Sequence, residues 1–177
     1  DGLRAIAVLA VLVFHLRPEW WPSGYLGVDI FFVISGFVVT LSLCGQSLED
    51  RQFFLSRFYS KRVKRLLPAL ATCVITASLL AALVMYPGSL ERLISLQTGF
   101  ASLFGVSNIF LLSQHSDYFG ITSELNLFLH TWSLGVESQF YVFYPLIWLI
   151  AGGRRRFLFP LLLVLIALSF GLQRWFI

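Results

Sequence analysis

The sequence predicts an all-α, polytopic transmembrane helix bundle, and three observations carry that prediction. Hydrophobic residues make up 58% of the 177 positions and charged residues only 12%, about half the charge usual in a soluble domain. Apolar runs of roughly one bilayer crossing recur along the chain, with turn residues between them. The 18 Phe, 6 Tyr and 5 Trp suit lipid contact and interfacial belts.

The first segment runs from about Leu3 to Leu16 and either stops there or extends through Trp20 and Trp21, which would then sit at the interface. It carries a single arginine, Arg4, and no small-residue cleavage site follows Phe14 and His15, so it does not read as a secretory signal. Pro18, Pro22, Ser23 and Gly24 make a turn. The second segment runs from Tyr25 to about Cys44, with Asp29 at its mouth. The stretch from Gly45 to Arg65 is the most polar and reads as a loop. It holds Arg51, Arg57, Lys61, Arg62, Lys64 and Arg65 against Glu49 and Asp50. That cluster sets the cytoplasmic side by the positive-inside rule. It also makes the net charge of +4 local, a membrane feature with nothing in it for nucleic acid.

The third segment spans Leu66 to Met85, with Pro68 in its first turn, and Tyr86-Pro87-Gly88 ends it. The fourth, about Leu93 to Leu112, is interrupted by Ser95, Gln97, Thr98, Ser102, Ser107 and Asn108. It either spans within a bundle or lies partly in the interface. The loop from Ser113 to Leu127 holds Asp117 and Glu124. The fifth segment runs from Leu129 to Ala151. Gly152-Gly153-Arg154-Arg155-Arg156 breaks it, and a sixth follows from Phe157. If all six cross, the triple arginine lies outside; if the fourth does not, the charge rule is better obeyed. The chain starts and stops inside apolar patterns. The expectation is therefore that residues 1–177 are the N-terminal part of one membrane domain, truncated at both ends and poorly stable alone. Cys44 and Cys73 read as inert small hydrophobes, and no metal-spaced cluster occurs.

Arg4 and His15 are eleven residues apart. At about 100° and 1.5 Å per residue they share one helix face, roughly 16 Å apart along the axis. Both are costly in lipid and must face protein or a water-filled cavity. His15 suits a general base, because imidazole titrates near neutral pH; its alternative is a structural hydrogen bond across helices. Arg4 suits either an anion or a pairing with Asp1. Asp29 is either a helix-start carboxylate or a group that orients His15, as in hydrolytic triads. His130, Ser133 and Glu137 fall at i, i+3 and i+7 on one face. A carboxylate that deep in an apolar segment needs a partner and marks either function or a packing network. The basic stretch around Arg62 and Arg65 suits anionic headgroups or the phosphates of a donor.

Four ordered stretches then carry a resemblance: DGLRAIAVLAVLVFH (1–15), GYLGVDIFFVISGF (24–37), FYSKRVKRLLPA (58–69) and LHTWSLGVESQFYVFYPL (129–146). VSNIFLLSQHSDYFG (106–120) also fits. Together they make the chain similar to the integral-membrane acyltransferase 3 family, bacterial O-acyltransferases of surface polysaccharides. The resemblance implies a domain of about ten membrane helices in the bacterial cytoplasmic membrane. It also implies acyl-CoA, by default acetyl-CoA, as donor substrate with no resident cofactor, and a carbohydrate hydroxyl as acceptor. The family's basic residue and histidine map onto Arg4 and His15. Its Arg-x-x-Arg element maps onto Arg62 and Arg65, and its Trp-Ser-Leu-x-x-Glu element onto Trp132, Ser133, Leu134 and Glu137. Many relatives carry a second glutamate where Ser138 stands here. The motif variant looks most like the longer subfamily, in which an SGNH-hydrolase-like domain follows.

The expected chemistry has His15 as general base, or as a covalent acyl carrier, with Glu137 or Asp29 orienting or charge-balancing it. Arg4, Arg62 and Arg65 would engage donor phosphates, and His130, Trp132 and Ser133 the acceptor. Membrane lipid is the surrounding partner. The rival reading is a transporter or flippase with His15 and Glu137 as a proton relay. A third is a non-catalytic membrane partner.

Overall fold

The computed structural model describes residues 2–44, 51–114 and 125–176, and every element among them is helical. Expectations placed on Asp1, Glu49, Asp50, Asp117 and Glu124 fall outside the described residues. The chain forms two compact units, Asp1–Ser47 and Leu48–Ile177.

The first unit is a helical hairpin: α1 (Gly2–Leu16), a single 3-10 turn (Gly24–Leu26) and α2 (Gly27–Cys44). α1 does not continue through Trp20 and Trp21. Pro18 has no N–H to offer the Phe14 carbonyl, the chain turns there, and both indoles are exposed. Small residues close the hairpin. Ala7 and Ala10 are buried on α1, and Gly24 and Gly27 are buried opposite them. A Cβ at Gly27 would collide with the Ala7 carbonyl oxygen and lie 2.8 Å from Val11 Cγ2; one at Gly24 would collide with the Ala10 carbonyl oxygen. Close backbone approach at small residues is how helices associate in lipid, where apolar burial gives no drive.

The second unit holds α3 (Arg51–Val84), α4 (Leu90–Leu103), α5 (Ser107–Ser113), α6 (Thr131–Ile150) and α7 (Arg155–Phe176). α3 corrects the expectation of a basic loop up to Arg65. Its 34 residues make a helix about 51 Å long, so Pro68 sits mid-helix rather than in a first turn. Arg, Lys, Gln and Leu are strong helix formers. Phe54 and Phe58, one turn apart and both buried, give the basic half an anchoring face.

The Tyr86-Pro87-Gly88 turn is as expected. Ser89 N–H donates to the Tyr86 carbonyl at 3.1 Å and Gly88 has φ 87, the left-handed conformation that a proline–glycine turn requires. Ser89 then caps α4 by accepting from Arg92 N–H at 3.3 Å.

The apolar pattern over 93–112 is divided in two. Val106 N–H returns to Ala101 O and Gly105 N–H to Ser102 O, with Gly105 at φ 68. This is a glycine-terminated helix end. Of the polar residues that interrupt this segment, Gln97 is exposed and most of the others turn inward. Ser95, Thr98, Ser102 and Ser107 are all buried. Asn126 Nδ2 donates to Thr98 Oγ1 at 2.8 Å, and Leu127 N–H to Ser95 Oγ at 3.3 Å. Asn108 and Gln139 exchange amide bonds at 3.2 and 2.8 Å, and Gln139 Nε2 also donates to the Gly105 carbonyl at 3.2 Å. The polar groups thus satisfy the backbone at the break, the condition for broken helices at membrane depth.

Among the described residues, three segments are long and apolar enough to cross a bilayer: Gly24–Cys44, Gln52–Val84 and Arg156–Arg174; Gly2–Leu16 is a shorter apolar helix.

Candidate functional site

The candidate residues fall into one cluster in each unit. In the first, α1 places Arg4 and His15 toward opposite ends of the hairpin. Arg4 is half-buried. Its Nη2 donates to the buried Ser35 Oγ at 3.2 Å, and its guanidinium carbon lies 5.6 Å from the Phe31 ring centroid. Its Nε is buried with no hydrogen-bond partner among the described residues. Ser35 and Phe31 were not singled out in the sequence. They lie one turn apart on α2, a spacing visible only once the hairpin partner is known.

His15 sits in the last turn of α1 and is exposed. Its Nδ1 lies 2.8 Å from the Val11 carbonyl oxygen. A carbonyl can only accept, so Nδ1 carries the proton, and in the neutral ring Nε2 is the basic nitrogen. Phe14 stands edge-on to the imidazole, with centroids 5.4 Å apart. The Val11 backbone carbonyl thus orients the ring through Nδ1. Asp29 is exposed in the first turn of α2, where a negative charge suits the positive end of the helix dipole.

The second cluster joins α3 to α6. Glu137 is 4% exposed and accepts a short hydrogen bond from the Tyr141 hydroxyl, one turn on. The Arg62 guanidinium lies over the Tyr141 ring at 4.8 Å and over the Phe58 ring at 5.4 Å. Tyr59 donates its hydroxyl to the Val142 carbonyl at 2.8 Å, which ties the same two helices beside the stack. The chain of contacts runs from an arginine, through an aromatic face and its hydroxyl, to a buried carboxylate. Arg62 and Glu137 were both expected; Tyr141, which joins them, was not. Its i+4 spacing from Glu137 was the available signal.

Of the remaining candidates, Arg65 is exposed one turn beyond Arg62. His130 is the exposed N-cap residue of α6, and Ser133 donates to its carbonyl at 3.2 Å. Trp132 is half-buried beside them. These three lie one to two turns before Glu137. Among the described residues there is no cluster of His, Cys, Asp or Glu that could hold a metal ion.

A family model described as an acyltransferase domain matches residues 1–177. The O-acetyltransferase OatA of Staphylococcus aureus strain NCTC 8325 / PS 47 is 36% identical over 178 residues, covering 98% of this chain and 28% of OatA. OatA of strain COL gives the same figures. SACOL0978 of strain COL is 39% identical over 147 residues, covering 83% of this chain and 24% of its own length. The chain spans about 28% of the length of the OatA relatives it matches. No solved structure matches it. The matching family and the apolar helices make this a multi-pass membrane protein.

Proposed function

The chain belongs to the family of acyltransferase domains, and on that premise we propose that the whole protein is a membrane O-acyltransferase. It moves an acyl group, acetyl by preference, from acyl-CoA to a hydroxyl of a cell-surface or lipid-linked carbohydrate, at the bacterial cytoplasmic membrane. The relatives named O-acetyltransferase support the acyl group and the oxygen acceptor.

The observation that carries the reading is the His15 ring. With Nδ1 held by the Val11 carbonyl, the basic nitrogen of the neutral ring is Nε2. In the proposed reaction Nε2 takes the acceptor's hydroxyl proton as that oxygen attacks the thioester carbon. The tetrahedral intermediate collapses, the carbon–sulfur bond breaks, and the proton passes to the departing CoA thiolate. No second nucleophile is required. Arg4, seated on Ser35 and Phe31, and Arg62 with Arg65 supply positive charge for the donor's phosphates. Glu137 or Asp29 is assigned to orient or charge-balance the imidazole. His130, Trp132 and Ser133, at the start of α6, are assigned to the acceptor.

The test is acyl transfer by the full-length protein supplied with labelled acetyl-CoA. His15→Ala is expected to lose on the order of 10²–10⁴-fold in rate. Transfer at the wild-type rate in that variant removes His15 from the mechanism. Absence of transfer by the wild type, alongside His15-dependent flux of a lipid-linked sugar across vesicles, replaces the enzyme reading with transport.

A further inference from the structure

We propose that Tyr141 is a positioning residue that holds the two charged members of the second cluster, Glu137 and Arg62, at fixed places. The proposal rests on the acyltransferase reading and deepens it.

Glu137 and Tyr141 are 4% and 5% exposed. A carboxylate buried to that degree needs hydrogen-bond donors, and the Tyr141 hydroxyl supplies one. The ring of the same tyrosine lies under Arg62. Donation from the hydroxyl to an anion pushes electron density into the ring, which strengthens the attraction of its face for a cation. One side chain therefore touches both charges, one through its hydroxyl and the other through its ring face.

The backbone supports the same arrangement. Pro145 lies inside α6 and has no N–H for the Tyr141 carbonyl, so the helix is loosened at that residue. Tyr59 pins the next carbonyl, that of Val142, to α3. Phe58 sits against the same guanidinium. Tyr141 is thus held from α3 where α6 alone constrains it least.

Two substitutions in the full-length protein separate the two jobs. Tyr141→Phe keeps the ring under Arg62 and removes the hydroxyl. It is expected to lower kcat by roughly tenfold to a hundredfold, as for a lost hydrogen bond to a charged group, with KM for acetyl-CoA within about twofold of wild type. Tyr141→Leu removes both contacts and is expected to raise KM for acetyl-CoA as well; the phenylalanine variant rescues that rise. A wild-type kcat in Tyr141→Phe overturns the proposal. So does an equal loss in both variants that tracks a fall in melting temperature, which marks a merely structural residue.

An infrared readout keeps the inference testable without turnover. The carboxylate band assigned through Glu137→Gln shifts in Tyr141→Phe if the hydroxyl bonds Glu137, and an unmoved band overturns it. Lack of transfer by wild type, with the band shift present, refutes the acyltransferase reading alone.

Discussion

Replacing Asn108 and Gln139 measures how firmly the broken fourth segment is held to α6. Gln139 takes part in three hydrogen bonds, and two of them are shared with Asn108. Gln139→Leu removes all three, Asn108→Leu removes the shared two, and the double variant loses no more than Gln139→Leu alone. The coupling energy therefore equals the two shared bonds. At about 0.6 kcal/mol each, the average inside a membrane bundle, or about 1 kcal/mol each on the scale for soluble proteins, it comes to about 1.2–2 kcal/mol. The assay is a double-mutant cycle on reversible unfolding of the full-length protein in mixed detergent micelles. Stability of the double variant should nearly match that of Gln139→Leu. Losses that add within about 0.3–0.5 kcal/mol, the range for independent sites, would show that the two amides are not partners.

Two further outcomes follow from contacts described above. In Gly27→Ala the new methyl meets the Ala7 carbonyl, a backbone atom that cannot swing aside, so a loss of about 1–3 kcal/mol is expected; thermal melting that matches wild type would mean the hairpin is looser than drawn. Arg62→Lys keeps the charge but drops the planar face laid on Tyr141 and Phe58. It should cost roughly 0.5–1 kcal/mol of stability in detergent, and an unchanged melting temperature would count against the stack.

The apolar segments were legible because the bilayer imposes one length on them. The far end of α3 stops where the Tyr86-Pro87-Gly88 turn indicates. The basic half of α3 was not legible. Its charges looked like a loop, while the helical signal lay in two phenylalanines, Phe54 and Phe58. The division at Gly105 was missed for a related reason: hydropathy averages across a single residue, whereas a left-handed glycine ends a helix outright. At the candidate site, the charged residues announced themselves by their cost in an apolar chain. Their partners did not, because Ser35, Phe31 and Tyr141 are unremarkable until tertiary packing sets them beside Arg4, Arg62 and Glu137. A backbone carbonyl, such as the one that holds His15, is invisible to any reading of side chains.

The length of α3 works as a depth gauge. With Val84 at one edge of a hydrocarbon layer about 30 Å thick, an upright helix reaches the opposite edge about 20 residues earlier, near Arg65. At a tilt of about 40°, the upper end of the usual range, the edge falls near Tyr59. Arg62 lies between those two limits, within about 5 Å of the hydrocarbon edge across that range of tilt. With Val84 placed so, the guanidinium on the Tyr141 ring stands close to the waterline, at the level where a helix passes from oil to water.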